Sequence, residues 1–278
     1  MKKNNSIILT ICFLLLSLCG CGIGHHIAEA EKLEKSGLFV DACVKYEKAY
    51  RSSPSDSRAP EALYRMALIY QKKLKLYTYS RRFFGELLEK YPKSAPWNDL
   101  ARMGVFTSPD FFPLTDKSFW IEGDSDTGGK NMRAEWNCTE VSSGTYKIQR
   151  KVFAGGRLVT ENGRFYKNDG TRLNESKTAD FGQSSIILEY PFTKGRQWNT
   201  EKDSKESVFT IEEENVPIVV KAGEFPGCLK LKEINPSYPS SQKYIYYAPE
   251  VGWVLTTVAA SGGEEHRNTE LLSYKINP

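Results

Sequence analysis

Histidine is scarce in this sequence, and the residue patterns of common hydrolases and metalloenzymes are missing from it. Only His25, His26 and His266 occur among 278 residues, and no Gly-x-Ser-x-Gly, His-Glu-x-x-His or Cys-x-x-Cys segment is present. Those patterns supply a nucleophile, a zinc site or a redox pair, so the strongest signals of catalysis are absent. His266 follows Glu264 and Glu265 in a glycine-rich turn, which is weak evidence for acid–base chemistry. We expect no enzymatic activity, no metal site and no dissociable cofactor.

The sequence also lacks an apolar run long enough to cross a bilayer. Residues 7–18 form the longest such run, whereas a membrane-spanning helix needs about 20 apolar residues. Lys2 and Lys3 precede the run, and this combination is typical of a secretory signal peptide. The following Leu18-Cys19-Gly20-Cys21 resembles the bacterial lipobox, in which the last cysteine is acylated and becomes the new N-terminus. Cys19 fits that pattern less well, because it would place Leu18 where a small residue is required.

The lipobox resemblance implies a division of the N-terminus into a signal peptide, residues 1–20, and a lipidated linker, residues 21–27. Cys21 would carry covalent diacylglycerol and acyl lipid and tether the chain to a membrane of the cell envelope. Gly22 is compatible with the outer membrane, facing the periplasm, if the cell is Gram-negative. The alternatives are an ordinary signal peptide or an uncleaved apolar anchor, and both would still place the protein outside the cytoplasm.

The mature chain has neither a large net charge nor the cysteine pattern of a disulfide-bonded protein. Lysine and arginine number 38 and the acidic residues 34. Removal of Lys2 and Lys3 leaves 36 against 34, a net charge of +2, so nothing favours a nucleic-acid partner. Cys138 and Cys228 could form a disulfide, which requires Cα atoms about 4.4–6.8 Å apart, or could remain separate thiols.

The periodicity of the chain changes near residue 105, which predicts two domains and an α+β fold. Residues 28–104 have apolar residues at helical spacing and few glycines. Residues 105–278 have short alternating segments separated by Gly, Asn, Asp and Pro, as in an antiparallel sheet.

The helical half contains a repeat with a period of 38 residues. The first unit has Ala42, Tyr46, Ala49 and Pro54, and the second has Ser80, Phe84, Leu87 and Pro92. These positions resemble the second helix of a tetratricopeptide repeat, as found in outer-membrane assembly lipoproteins. About three units are usually needed for a stable stack, and here two are followed by one possible capping helix at 97–103. A four-helix bundle without a recognition role is the alternative.

The repeat resemblance implies a groove for a protein or peptide partner in the cell envelope. We expect Tyr64, Ala67 and Gln71, on the first helix of the second unit, to line it. The preferred hypothesis is therefore a membrane-tethered adaptor or scaffold.

The second half predicts an antiparallel β meander that forms a curved sheet or half-barrel. Strands are expected near 132–142, 144–153, 157–161, 164–167, 185–191, 206–212, 216–221, 227–234, 243–248, 251–259 and 269–276. Tight turns are expected at Gly155-Gly156, Asn162-Gly163 and Asp169-Gly170, because these residues tolerate positive φ. The loop around Asp124 partly matches a calcium-binding loop, but strands flank it, so we interpret it as a hairpin loop.

Three segments of this half resemble, in order, a family of bacterial envelope proteins of unassigned function. FPLTDKSFW at 112–120 matches their "FPLxxGxxW" start, AGEFPGCLKL at 222–231 their "AGxFxxCLKV" strand, and YYAPEVGWV at 246–254 their "YYAPGVGLV" hairpin. Glu250 stands where the family usually has glycine, so this turn could differ. The resemblance implies an extracytoplasmic β domain.

Aromatic residues near the last of these motifs suggest a second hypothesis. Tyr244, Tyr246 and Trp253 could line an apolar pocket of the curved sheet, or could simply pack in its core. In the first case the protein would be a carrier or sensor of a hydrophobic ligand or lipid.

Overall fold

A computed structural model describes residues 22–277 of the chain. It has an α+β architecture in which helices precede a β domain, as the periodicity predicts. The chain divides into two compact units, which we call the helical unit (to Ser108) and the β unit (from Pro109). This division lies four residues after the predicted boundary. None of the helices in the described part is both long and apolar enough to cross a membrane.

From residue 22 to Ser108 the helical unit has five helices: α1 (Ile23–Lys35), α2 (Phe39–Ser52), α3 (Ala59–Lys72), α4 (Tyr77–Lys90) and α5 (Trp97–Phe106). Pro60 lies in the first turn of α3, where its missing N–H costs nothing. Pro54 and Pro92 each follow the end of a helix by two residues, because the residue before a proline disfavours helical geometry.

The first helix corrects the prediction of a linker at residues 21–27. Helix α1 begins at Ile23, and Ile23, Ile27 and Ala30 form a buried stripe at helical spacing. His26, which lies between these positions, is also buried. Within the described chain, only Gly22 separates residue 21 from helical structure.

Two helices of the helical unit have the same length and the spacing of the sequence period. Helices α2 and α4 are offset by 38 residues and both contain 14 residues. The three predicted stripe positions are fully buried in each of them: Ala42, Tyr46 and Ala49 in α2, and Ser80, Phe84 and Leu87 in α4. Spacings of three and four residues place such side chains on one helix face.

Helix α5 packs on the second repeat through a glycine. A Cβ atom added at Gly104 would overlap the ring of Phe84, whereas one added at Gly85 in α4 would meet nothing within 4 Å. Gly104 therefore sets the approach of α5, and Gly85 has no such role.

We expect alanine to have opposite effects at these two glycines. Gly104→Ala should destabilise the helical unit by about 1–3 kcal/mol, because the ring of Phe84 has to move. Gly85→Ala should stabilise it by about 0.5–1 kcal/mol, because alanine loses less backbone entropy in a helix. Urea denaturation followed by far-UV circular dichroism measures both. Equal effects would show that Phe84 does not restrict α5.

The β unit is a single antiparallel sheet. Its strands are β1 (Phe119–Asp124), β2 (Met132–Ser142), β3 (Thr145–Ala154), β4 (Arg157–Asn168), β5 (Arg172–Ser176), β6 (Ser184–Glu189), β7 (Gln197–Lys202), β8 (Lys205–Val220), β9 (Gly223–Ile234), β10 (Ser241–Ala248), β11 (Gly252–Ala260) and β12 (His266–Lys275). The order across the sheet is β6-β5-β4-β3-β2-β1-β12-β11-β10-β9-β8-β7. Neighbours in the sheet are thus consecutive in sequence, except where β1 pairs with β12.

The two ends of this order, β6 and β7, meet and nearly close the sheet into a barrel. Side chains make the junction: Ser185 Oγ donates to the carbonyl of Glu201 at 2.6 Å, and Thr200 Oγ1 accepts from the amide of Ile186 at 2.7 Å. Trp198 Nε1 donates to the Ile186 carbonyl at 3.2 Å. We call this junction the β6–β7 seam. It makes the domain more closed than the predicted half-barrel.

One predicted turn is wrong, although its neighbours are confirmed. Gly155-Gly156 and Gly170 have positive φ and connect β3 to β4 and β4 to β5. Asn162 and Gly163 instead lie inside β4, where Gly163 pairs with Gln149 of β3. A Cβ at Gly163 would lie 2.8 Å from Gln149 Oε1, so this glycine makes room for a cross-strand side chain.

Candidate functional site: an internal cavity of the β unit

A cavity of about 540 Å³ lies inside the barrel. Alternate residues of a strand face opposite sides of a sheet, and in β10 the inward set is Lys243, Ile245 and Tyr247. The aromatic part of the wall consists of Phe112, Trp136, Tyr166, Phe209, Tyr247 and Trp253. The volume falls within the range of about 300–1,000 Å³ that is typical of small-molecule sites.

Phe112, in the segment before β1, is the centre of this aromatic wall. Its ring centroid lies 5.5 Å from that of Tyr166 and 5.2 Å from that of Trp253. Trp253 also contacts Trp136 edge-on, with centroids 4.9 Å apart. Behind the wall, Trp120 stacks on Trp253 and donates its indole N–H to the carbonyl of Val251 at 2.6 Å. The rings therefore support one another and hold the wall in place.

The charged side chains of the wall form pairs of opposite sign. The pairs are Arg150–Glu122 at 3.5 Å, Lys202–Glu175 at 2.7 Å and Lys243–Glu233 at 3.3 Å. Tyr166 Oη also donates to Glu175 at 2.6 Å. Because every one of these cations faces a carboxylate, the cavity wall has no net charge.

Glu122 is the least well satisfied of the three carboxylates. Its residue is only 7% exposed, and burial raises its pKa, an effect that Arg150 opposes. The indoles of Trp136 and Trp253, like Arg150, lower the pKa of this carboxyl group. The Arg150 contact, at 3.5 Å, lies at the outer limit of a hydrogen bond.

Three buried donors beside Glu122 have no hydrogen-bond partner among the residues that the structure describes. They are Nε1 of Trp136, Nε1 of Trp253 and Nε of Arg150. Both indoles lie near the Glu122 carboxylate, but neither satisfies hydrogen-bond geometry toward it. A buried N–H without a partner costs about 1–3 kcal/mol, so this end of the cavity is suited to an acceptor atom.

The predicted pocket residues separate onto two faces of the sheet. Trp253 lines the cavity. Tyr244 and Tyr246 alternate with the inward residues of β10 and lie on its other face, where Tyr246 Oη donates to Glu265 at 2.7 Å. Lys230 lies 4.5 Å above the Tyr244 ring. Burial, reinforced by the Glu265 bond, raises the pKa of Tyr246 to about 12.

Glu122 and Arg150 were not identified from the sequence. Arg150 lies two residues from Ile148 and two from Val152 on β3, so all three are on one face of the strand. An arginine on an otherwise apolar strand face is the sequence pattern that indicates it. No sequence pattern indicates Glu122, because its strand, β1, is not among the predicted strands.

Of the predicted groove residues, Tyr64 and Gln71 contact α5, and Ala67 is buried. Ala67 is fully buried and Gln71 is 2% exposed. Tyr64 packs between Phe84 and Trp97, with centroids 5.7 and 5.4 Å away. Gln71 Nε2 lies within hydrogen-bond distance of acceptors at the end of α5: the carbonyls of Gly104 and Thr107 and the hydroxyls of Thr107 and Ser108. Helix α5, the predicted capping helix, thus lies where a bound partner was expected.

The loop after β1 is held by Asp124. Its carboxylate accepts from the amides of Thr127 and Met132, both at 2.9 Å, and from the Thr127 hydroxyl. These bonds, that of the hydroxyl first, lower the pKa of Asp124 to about 2. Its oxygens thus stabilise the loop itself. In the described range, no three histidine, cysteine or acidic residues are grouped as metal ligands.

The cysteines of the described chain are separate buried thiols. Cys43, Cys138 and Cys228 are all unpaired. Burial raises the pKa of Cys138 and of Cys228 to about 12, so both are protonated at neutral pH. Cys21 and the predicted signal peptide lie outside the described residues.

Comparison with known proteins gives partial structural similarity. No family model matches the sequence, and no curated protein matches it significantly. A candidate exported protein with a YmcC-like fold from Bacteroides fragilis is 13% identical, with a TM-score of 0.41 over 60% of this chain and 99% of that one. A candidate lipoprotein from Parabacteroides distasonis is 15% identical, with a TM-score of 0.39 over 59% and 98%. A β-barrel-like protein, a domain of unknown function from Brucella abortus, is 11% identical, with a TM-score of 0.28 over 53% and 74%.

Proposed function

We propose that the chain is a membrane-tethered envelope lipoprotein whose β unit binds an apolar ligand, as a carrier or sensor without enzymatic activity. The observation that carries this proposal is the aromatic-walled cavity of about 540 Å³ inside the barrel. An apolar ligand there would remove aromatic surface from water, at about 25 cal/mol per Å².

The β6–β7 seam offers the ligand an entrance. Ser185, Ile187, Thr200 and Lys202, from the two strands of the seam, all line the cavity. The bonds across it involve side chains, so the seam can open without breaking a continuous backbone ladder.

The tether is proposed from the lipobox and the position of α1. Acylation of Cys21 would leave only Gly22 between the lipid and the first helix. The helical unit would then lie close to the membrane surface, in the outer membrane facing the periplasm if the cell is Gram-negative. The membrane is thus the proposed partner, and the near-neutral mature charge gives no reason to include nucleic acid.

The second candidate is the protein-interaction adaptor. The equal length and 38-residue offset of α2 and α4 favour a tetratricopeptide-like arrangement. Because Tyr64 and Gln71 contact α5 and Ala67 is buried, an envelope protein or peptide would have to use another face. Val40 and Val44 are exposed on one face of α2. Loss of a cross-linked partner in the Val40→Glu/Val44→Glu variant would support this candidate.

Filling the cavity should abolish binding of a hydrocarbon probe. Ile187 lines the cavity, and Ile187→Trp would place an indole in the ligand's volume. We expect affinity for diphenylhexatriene, a fluorescent hydrocarbon, to fall at least about tenfold, or about 1.4 kcal/mol. The matched control is Val219→Trp, at a site 63% exposed in β8.

Titration of the probe's fluorescence measures both affinities, and thermal melting verifies that both variants fold. Equal affinity in the two variants, or no binding to the unaltered chain, would refute the proposed function.

A further inference from the structure

We infer that the ligand is an amphiphile whose apolar chain ends in an uncharged, hydroxyl-bearing head group held by Trp136, Trp253, Arg150 and Glu122. This inference rests on the proposed function and assigns the chemistry of its ligand. Long-chain alcohols and monoacylglycerols belong to this class.

The charges of the wall exclude a charged head group. The three cations of the wall, Arg150, Lys202 and Lys243, each lie opposite a carboxylate. A ligand carboxylate would enter beside Glu122 with no free cation to compensate it. A ligand ammonium would have to compete with Arg150 for the same carboxylate. In either case an uncompensated buried charge would result, which is costly.

The unpartnered donors require an oxygen in the head group. The two indole N–H groups of Trp136 and Trp253 and Nε of Arg150 donate to nothing in the described chain. Trp253 is 8% exposed and lines the cavity, so a ligand oxygen in the cavity can accept from its N–H. An indole N–H is a donor only, and the ligand atom must therefore be an acceptor.

The Glu122 carboxylate selects a hydroxyl among uncharged acceptors. A hydroxyl oxygen accepts two hydrogen bonds and donates one. It can accept from the two indoles while donating to the carboxylate that both of them approach. An ether or ester oxygen would accept from the indoles but leave Glu122 with only the 3.5 Å contact from Arg150. Leaving a buried acceptor unsatisfied weakens binding.

Competition among ligands with one common chain tests the head group. Decanol, its methyl ether, decanoate and decylammonium would each displace diphenylhexatriene from the full chain. We expect decanol to bind about tenfold or more tightly than either charged ligand, and roughly three- to tenfold more tightly than the ether. Tighter binding of decanoate or decylammonium would overturn the inference.

Trp136→Phe and Trp253→Phe keep an aromatic ring and remove the N–H. Each should weaken decanol binding by roughly three- to tenfold. Diphenylhexatriene has no acceptor oxygen, so its affinity should fall less than that of decanol, and thermal melting verifies that both variants fold. Glu122→Gln replaces the carboxylate with a neutral, weaker acceptor and should reduce the preference for decanol over its ether.

The possible failures are distinct. If diphenylhexatriene does not bind the unaltered chain, the proposed function itself fails. If it binds but the four decyl ligands compete equally, or decanol binds both phenylalanine variants as it binds the unaltered chain, then water satisfies the indoles. In that case only the head-group inference is overturned.

Discussion

Replacing Trp120 with alanine is expected to destabilise the β unit by about 3–5 kcal/mol, the usual cost of truncating a buried tryptophan. Trp120 is fully buried on β1, and its ring supports Trp253 from behind the cavity wall. Its indole N–H also satisfies the carbonyl of Val251, in the turn before β11. The substitution would therefore remove both a large packing surface and a buried hydrogen bond.

Two control variants separate these contributions. Trp120→Phe keeps most of the ring and should cost about 1–3 kcal/mol, mainly because the Val251 carbonyl loses its donor. Tyr238→Ala removes an aromatic side chain that is 70% exposed and should change stability by no more than about 0.5 kcal/mol. Urea unfolding measures all three. A cost for Trp120→Ala no larger than that for Tyr238→Ala would contradict the packing described here.

Replacing Cys21 with alanine is expected to release the protein from the membrane fraction. In the unaltered chain, acylation of Cys21 would add covalent lipid, and two or more acyl chains suffice for stable anchoring. Intact mass should show a diacylglycerol-sized increase that the Cys21→Ala protein lacks.

Cys19→Ala is the matched control, because Cys19 would lie within the removed signal peptide and the variant should remain lipidated. Fractionation of cells of the native host distinguishes the outcomes. A soluble unaltered chain without added mass would show that the lipobox assignment is wrong. A freely diffusing carrier would then replace the tethered one.

The helical half was predictable because its evidence is local. Spacings of three, four and seven residues determine which side of a helix is buried, and Ala42, Tyr46 and Ala49 follow that rule. What packs against the predicted groove face cannot be predicted from local spacing. Residues 64–71 have the same pattern whether a peptide or the chain's own α5 packs on them, and only the fold shows that Tyr64 and Gln71 contact α5.

The sequence predicts the β half less completely than the helical half. Alternation predicted most strands, yet Asn162-Gly163, the strongest turn pattern by composition, lies within β4 because pairing with β3 outweighs it. The family resemblance raised the question of Glu250, which adopts a φ of 61°, the conformation that glycine reaches without steric cost. Its amide donates to the carbonyl of Asp110 at 2.6 Å, and its Oε1 accepts from the amide of Asp110 at 3.3 Å.

The polar residues of the cavity come together only in the folded structure, so the sequence does not predict them. Glu122 and Arg150 lie on β1 and β3, two strands separated by β2, and Arg150 reaches Glu122 over the Trp136 ring of β2. Trp136 and Trp253 come from distant parts of the chain. Aromatic composition alone favoured Tyr244 and Tyr246, whereas strict parity along β10 selects Tyr247 instead.

Native mass spectrometry of the full chain, purified from its own cells in a mild detergent, tests the ligand-binding proposal most directly. The expected spectrum contains a population heavier than the covalent protein by one small apolar molecule, which is lost on denaturation and recovered in an organic extract. The Ile187→Trp protein should lack this population, and the Val219→Trp protein should retain it. A spectrum of covalent protein alone, for the unaltered chain and both variants, would contradict the carrier or sensor function and favour the adaptor.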